Sequence, residues 1–180
     1  MGWFFAIDIP DNIVKTLDEF TAYGGGLRKQ RRDDLHVTLT YFKKASDAQI
    51  EQLVKAVADI EVPKFDISGE GVHYFPPSDD GYRTHFFTAK MDCPQPLTDL
   101  KMQIDAICKD MGLDLARTHD TYSPHITLYR SENHVLAQDV QRFQDENKAR
   151  ITPAFDVGEF ALYQSDYPNP YKKYTIFGLK

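Results

Sequence analysis

Two short segments of the chain carry the side chains best suited to acid–base chemistry. The sequence H-V-T-L at positions 36–39 returns as H-I-T-L at positions 125–128, which is 89 residues later. By chance, a single copy of this pattern is expected in roughly three chains in a thousand of this composition. Each copy places a hydroxyl group two residues after an imidazole. The repetition therefore indicates a function that needs both copies.

Each copy is expected to lie on a β-strand, because the β-branched residues and the alternating polarity are typical of one. Side chains of a strand point alternately to opposite faces. His36 and Thr38 should therefore share one face, and His125 and Thr127 should do the same, while the apolar residues beside them face a core. Within each copy, the imidazole and the hydroxyl should lie about 7 Å apart along the strand.

Two imidazoles in one cleft are suited to in-line displacement at phosphorus. Histidine titrates near neutral pH, so one ring can act as the base while the other, protonated, acts as the acid. The threonine hydroxyls can donate hydrogen bonds to the non-bridging oxygens of a phosphate. The residues alone do not decide which histidine is the acid and which is the base.

The bulk composition limits the classes of function. The chain has 180 residues, 42% of them hydrophobic and 27% charged, which is typical of a globular protein with one domain or two small lobes. Its net charge of −6 argues against a broad duplex-binding surface, which normally carries a basic excess. A small site for a nucleotide or an RNA end remains compatible with that charge.

Positive charge is concentrated on both sides of the first motif. Arg28-Lys29 and Arg31-Arg32 precede the motif, and Lys43-Lys44 follow it. Such clusters are often only solvated loops and strand ends. Their position beside a candidate site also allows a role in binding an anion.

Nothing in the sequence indicates secretion, a membrane or a zinc site. Cys93 and Cys108 lack a C-x-x-C spacing, the N-terminal segment lacks a basic region and reaches Asp8 early, and no apolar run is long enough to span a bilayer. We expect a soluble, cytoplasmic protein.

Periodicity and turn signals predict a mixture of helices and strands. The predicted helices are 11–23, a segment from the Ser46–Gln49 capping box to Ile60, 96–111 and 135–147. The predicted strands are 4–9, 35–42, 65–71, 83–91, 122–130, 155–164 and 171–179. A loop is predicted at 76–81 and a turn at 167–170.

This order does not alternate strictly between strand and helix, so it predicts an α+β fold with antiparallel sheets. The motif recurs at about half the chain length, each time after a helix. We therefore expect a single domain, 1–180, with two similar lobes that each contribute one motif. The two sheets should line a central groove, with the helices outside.

The two motifs resemble the twin H-x-T-x signature of the 2H phosphoesterase superfamily. More closely, the chain is similar to the RNA 2′,3′-cyclic phosphodiesterases, also called LigT-like 2′-5′ RNA ligases. Besides the motif strands, F-F-A-I-D-I-P at 4–10 is similar to the opening strand of that family, and G-E-F-A-L-Y at 158–163 with Tyr174 is similar to its closing hairpin. The resemblance extends over nearly the whole chain, but only the twin motif is specific.

The resemblance implies a bilobal pseudo-twofold fold with an active site in the groove. It implies hydrolysis of a 2′,3′-cyclic phosphate to a 2′-phosphomonoester without a metal or nucleotide cofactor. It also implies His36 as the proton donor to the leaving 3′ oxygen, His125 as the base for water, and Thr38 and Thr127 as ligands of the phosphate.

Residues after the motifs carry further expectations. Arg130 matches an arginine that follows the second motif in the family, but strict alternation places it on the face opposite His125. A role at the site therefore requires a strand end or a β-bulge. Tyr41, Phe42 and Tyr129 are candidates either for base stacking or for packing. The family usually reads Phe-Leu-Gly where this chain has Y-F-K-K at 41–44.

The leading hypothesis is a phosphodiesterase acting on RNA ends or small nucleotides that bear a 2′,3′-cyclic phosphate. Ligation to a 2′-5′ bond would be the reverse of a related transesterification. One alternative is a 2H phosphodiesterase that cleaves cyclic or 2′-5′-linked oligonucleotides. The other is a non-catalytic module that binds RNA ends. We expect a monomer.

Overall fold

The protein is described by a computed structural model that covers residues 2–24, 26–75, 86–116, 121–131, 135–166 and 169–180. Its strands are β1 (Gly2–Asp8), β2 (Leu27–Lys29), β3 (His36–Phe42), β4 (Phe65–Ile67), β5 (Gly69–Phe75), β6 (Phe86–Met91), β7 (His125–Ser131), β8 (Phe155–Val157), β9 (Glu159–Ser165) and β10 (Lys172–Gly178). Its α-helices are α1 (Asp11–Leu17), α2 (Asp47–Ala58), α3 (Gln95–Asp110) and α4 (Ala137–Asn147), and a 3₁₀ turn spans Arg32–Asp34.

Eight of the strands form one antiparallel sheet in the order β10-β9-β1-β3-β7-β6-β5, and β2 pairs with β7 outside this path. The α+β class and the antiparallel pairing are therefore confirmed. The two sheets expected to line a groove are two halves of this one sheet. Within the described strands, the halves meet at a single residue pair between β3 and β7, Val37 with Ile126.

The order of elements repeats along the chain. The series β1-α1-β3-α2-β4-β5 is followed by β6-α3-β7-α4-β8-β9. The halves of the sheet do not follow the halves of the chain, because β5 pairs with β6 of the second series and β9 pairs with β1 of the first. This exchange places the two motif strands side by side at the centre of the sheet.

The motif strands bury the faces that their sequence predicts. Val37, Leu39, Ile126 and Leu128 are buried in the main hydrophobic core. Burial of apolar side chains of this size stabilises the fold by about 1.5–3 kcal/mol each. The core therefore fixes which face of each motif strand turns away from it.

The helices begin where local signals place them or close by. The Ser46–Gln49 capping box of α2 is present in full. α3 and α4 lie within two residues of their predicted bounds. None of the described helices is long and apolar enough to cross a membrane.

The first helix is shorter than predicted, since α1 ends at Leu17 rather than near residue 23. Asn147 provides a physical reason, because its side chain accepts a hydrogen bond from the backbone N–H of Thr21 (3.0 Å) and donates one to the Thr21 carbonyl (2.7 Å). These bonds satisfy the backbone groups of Thr21 without a helix. Phe20 remains buried, as its apolar pattern suggests.

Other differences concern short strands. The predicted strand 155–164 is divided into β8 and β9, and 65–71 is divided between β4 and β5. β4 and β8 pair as a second, two-stranded sheet, and β2 was not predicted at all. The loop 76–81, the start of the predicted strand 83–91, and part of the turn 167–170 lie outside the described residues.

Candidate active site

The single pair between β3 and β7 sets the geometry of the two motifs. If its antiparallel register is continued by one residue in each direction, His36 lies opposite Thr127 and Thr38 lies opposite His125. The two histidines are then diagonal neighbours on one face, at a Cα separation of about 7–8 Å. That spacing leaves room for one phosphate group between two imidazole rings.

Both imidazole rings are held by the same local contact. Nδ1 of His36 lies 2.7 Å from the carbonyl oxygen of Asp34, and Nδ1 of His125 lies 2.9 Å from the carbonyl oxygen of Ser123. A carbonyl oxygen can only accept, so Nδ1 carries the hydrogen in each ring. In the neutral ring, Nε2 is therefore the acceptor, and it is the atom available for proton transfer.

A β-bulge follows the threonine in each motif strand. In the register of β3 with β1, Leu39 is skipped, and in the register of β7 with β6, Leu128 is skipped. Each bulge reverses the alternation beyond it. The bulge in β3 brings Tyr41 to the same face as the histidines, and the bulge in β7 does the same for Arg130, at the equivalent position. The bulge that Arg130 required is thus present.

The motif residues line a groove with a cavity volume of about 380 Å³, within the range typical of small-ligand sites. All five sequence-predicted site residues lie on it: His36, Thr38, His125, Thr127 and Arg130. The other described residues that line it are Phe4, Gln30, Tyr41, Phe86, Ser165 and Tyr171.

Aromatic side chains surround His36. Its ring centroid lies 4.8 Å from that of Phe4 and 5.4 Å from that of Tyr171. Burial lowers the pKa of His36 to about 4; the hydrogen bond to Asp34 opposes this shift, and proximity to His125 lowers the pKa further. His36 is therefore neutral at pH 7, and its Nε2 lies 3.0 Å from Oγ1 of Thr38.

A hydrogen bond joins the segment just before β7 to β3. The hydroxyl of Tyr122 donates to the carbonyl of Thr38 (2.9 Å) across 84 residues of sequence. Nζ of Lys101 lies 5.2 Å from the centre of the Tyr122 ring and 2.6 Å from Oδ2 of Asp105. These contacts stabilise the junction between β3 and β7, where the described strands share a single residue pair.

The three aromatic candidates for base stacking differ in their burial and in their contacts. Phe42 is fully buried, and the hydroxyl of Tyr129 donates to the carbonyl of Phe20 (3.0 Å). Only Tyr41 of the three lines the groove, and its ring stacks on that of Phe4 at a centroid distance of 6.5 Å.

Some of the lining residues gave no sequence signal. Phe4 belongs to an apolar strand, and Tyr171 precedes β10, so neither is distinguished from a core residue by type or spacing. Tyr171 reaches the groove because its backbone N–H donates to Oδ1 of Asp34 (3.3 Å), the residue whose carbonyl holds His36. Only the folded chain brings these contacts together.

In the part of the chain that the structure describes, no group of three or more His, Cys, Asp or Glu side chains is arranged to hold a metal ion.

Comparison with known proteins agrees with this architecture. The family model described as the 2′-5′ RNA ligase superfamily matches residues 9–168. The fold is similar to that of the protein TT0787 of Thermus thermophilus, with a TM-score of 0.79 and 18% identity over 99% of this chain and 98% of that one. It is also similar to LigT of E. coli in complex with 3′-AMP, with a TM-score of 0.71 and 21% identity over 98% of this chain and 97% of that one. No curated protein matched the sequence.

Proposed function

The chain belongs to the 2′-5′ RNA ligase superfamily of 2H phosphoesterases, and on that premise we propose that it hydrolyses the 2′,3′-cyclic phosphate of RNA ends to a 2′-phosphomonoester. The observation that carries the proposal is the pair of histidines on one face of the β3–β7 junction, each anchored through Nδ1 to a backbone carbonyl. The family establishes a phosphodiesterase-type enzyme. The cyclic phosphate as substrate is our inference.

In the proposed reaction, Nε2 of His125 accepts a proton from water as the water oxygen bonds to phosphorus. The bond from phosphorus to the 3′ oxygen breaks, and Nε2 of His36 donates its proton to that oxygen. The product carries a free 3′ hydroxyl and a 2′-phosphomonoester. Each of the two lobes would contribute one histidine, so neither lobe could act alone.

The remaining site residues would bind the anion. The hydroxyls of Thr38 and Thr127 donate to non-bridging oxygens, and the guanidinium of Arg130 offsets the negative charge. A phosphodiester anion beside His36 favours the charged ring and therefore raises its pKa from the low value that burial gives it. Substrate binding would therefore favour protonation of His36, which is the proposed acid.

A 5′ hydroxyl group in place of water would give a 2′-5′ linkage by the same proton transfers. The complex of LigT with 3′-AMP supports a groove that accepts a nucleotide bearing a phosphate at its 3′ side. We propose hydrolysis as the main reaction and ligation as a secondary one.

The product identifies the reaction. An oligonucleotide ending in a 2′,3′-cyclic phosphate, incubated with the protein in EDTA, is expected to yield the 2′-phosphomonoester, as resolved by chromatography against both phosphate isomers. The 3′ isomer as the sole product would contradict the proposed leaving group. Binding without turnover would favour a non-catalytic RNA-end module. Cleavage of a 2′-5′-linked oligonucleotide, with the cyclic end left intact, would favour the other phosphodiesterase.

The pH profile of kcat/KM reports the free enzyme. In the active form, one histidine of the pair is protonated and the other is neutral. A second proton would bind to the neutral ring, which could then no longer act as the base. Because burial lowers the pKa of His36 to about 4, activity is expected to fall only as the pH drops toward 4, well below the usual histidine value of about 6.5. At higher pH, loss of the remaining proton gives the second limb of a bell.

The control for this profile is His73→Gln, since burial also lowers the pKa of His73 but the side chain does not line the groove. This variant should keep the acid limb. A wild-type acid limb at pH 6.5 or above would contradict the proposed role of the buried His36.

A further inference from the structure

A second depression opens beside the groove and carries a strong positive charge. Four cationic residues line it: Arg28, Lys29, Arg31 and Arg130. The one carboxylate residue among the described lining is Asp34. On a chain whose net charge is −6, this local excess favours an anionic ligand.

The depression is continuous with the groove. Gln30, Arg130 and Tyr171 line both. Arg130 therefore stands between the proposed catalytic phosphate and the basic depression. A ligand whose phosphate lies between the histidines has a direct path to the second depression.

The pairing of β2 with β7 explains how positive charge is concentrated in this depression. Arg28 is paired directly with Arg130 in the antiparallel register. Like charges directly opposite on neighbouring strands destabilise a sheet. An anion held between the two side chains would offset that cost.

The cations of this segment differ in their ion-pair partners. Lys29 forms an ion pair with Asp18 (3.0 Å), and Arg32 also bonds to the carboxylate of Asp18. The carboxylate of Asp34 accepts from the backbone N–H of Tyr171 and lies 3.6 Å from the guanidinium of Arg31. Lys29 and Arg32 thus pair with Asp18, whereas Arg28 and Arg130 line the depression.

We propose that this depression binds the phosphodiester that precedes the terminal nucleotide of a single-stranded RNA, with Arg28 as its principal ligand. The inference rests on the proposed function and sharpens it. The preferred substrate would be an oligonucleotide, or an end with a 5′ phosphate, rather than a free cyclic mononucleotide. The cavity volume of about 70 Å³ suits a group of a few heavy atoms such as a phosphate, since one water needs roughly 10–15 Å³ on this scale.

Two small ligands test the site without turnover. Adenosine 3′-phosphate offers a phosphate to the histidines alone, whereas adenosine 3′,5′-bisphosphate offers a second phosphate on the 5′ side. By calorimetry, the wild type is expected to bind the bisphosphate at least about tenfold more tightly, as expected for charge-assisted hydrogen bonds to one added phosphate. The preference should weaken as the salt concentration rises.

The variant Arg28→Gln keeps most of the side-chain length and removes the charge. It is expected to lose the preference, with affinity for the bisphosphate falling about tenfold and affinity for the monophosphate falling by less than about threefold. Arg32→Gln is the matched control, because it removes an equal charge from the same segment but on a side chain already bonded to Asp18. This control should keep the preference.

Equal binding of the two ligands by the wild type would overturn the inference, and so would an equal loss of preference in both variants. Turnover of cyclic-phosphate ends without any preference for a 5′ phosphate would leave the proposed function in place and refute the second site. A preference in binding that survives when no cyclic end is hydrolysed would support the site and refute the proposed reaction.

Discussion

Replacing either motif histidine with alanine is expected to lower kcat on an oligonucleotide ending in a 2′,3′-cyclic phosphate by about a hundredfold or more. The reason is that each ring carries one of two proton transfers, and a positioned acid or base contributes about 10²–10⁴ in rate. His36→Ala and His125→Ala should each still bind adenosine 3′-phosphate to within several-fold of the wild type. The loss would then lie in the chemical step.

The double variant sharpens this expectation. Groups that act as one unit give strongly non-additive losses, so His36→Ala combined with His125→Ala should be little worse than the poorer single variant. His73→Ala is the control, since it removes a histidine that lies near His125 without lining the groove, and it should keep most of the activity. Unchanged turnover in both single variants would refute the mechanism.

Lys101→Met is expected to lower the free energy of unfolding by about 3 kcal/mol. Lys101 and Asp105 form an ion pair in which the side chains are only 8% and 19% exposed, and Oδ1 of Asp105 also accepts from Thr40 of β3 (2.5 Å). Removing the cation leaves a largely buried carboxylate uncompensated, which costs about 3–5 kcal/mol in buried pairs. Methionine retains an unbranched apolar stem, so lost packing contributes little.

Urea unfolding measures this change. Lys109→Met, an exposed position on the same helix, is the control and should cost less than about 0.5 kcal/mol. Lys101→Met combined with Asp105→Leu should recover much of the loss, because no charge is then stranded. A loss no larger than that of the control would show that the pair does not support β3.

The local order around the motifs could be predicted from the sequence. Alternation assigns Val37 and Ile126 to the core and the histidines to the other face, and burial confirms that assignment. A role for Arg130 at the site requires a strand end or a bulge, and the structure has a bulge in the pairing of β7 with β6. Its counterpart at Leu39 could have been predicted by the same comparison, because Tyr41 and Arg130 occupy equivalent positions after the two motifs.

The parts that depend on distant contacts could not be predicted. β2 has three residues and forms only because β7 offers it an edge, so its sequence carries no periodic signal. The end of α1 depends on the side chain of Asn147, which lies 126 residues from Thr21. Neither contact is visible in a local pattern.

The sequence also contains a second, shorter repeat. The sequence F-D-I at 65–67 returns as F-D-V at 155–157, a separation of 90 residues that nearly equals the 89 between the motifs. These segments are β4 and β8, which pair with each other with Asp66 opposite Asp156. Two repeats with nearly the same spacing predict both the internal symmetry and the small second sheet.

The division of labour between the histidines follows from the proposed leaving group. A substrate in which sulfur replaces the bridging 3′ oxygen has a thiolate leaving group, and a thiol has a pKa of about 8.5 in a cysteine side chain. Such a group departs without a proton. The variant that lacks the acid should therefore recover on this substrate, and the variant that lacks the base should not.

The most direct measurement is thus kcat/KM of His36→Ala and His125→Ala on the 3′-thio cyclic substrate, each compared with the wild type. The account predicts that His36→Ala lies within about tenfold of the wild type on this substrate while His125→Ala remains at least about a hundredfold lower. Equal impairment of both variants, or recovery of His125→Ala instead, would contradict the assignment of His36 as the acid and His125 as the base.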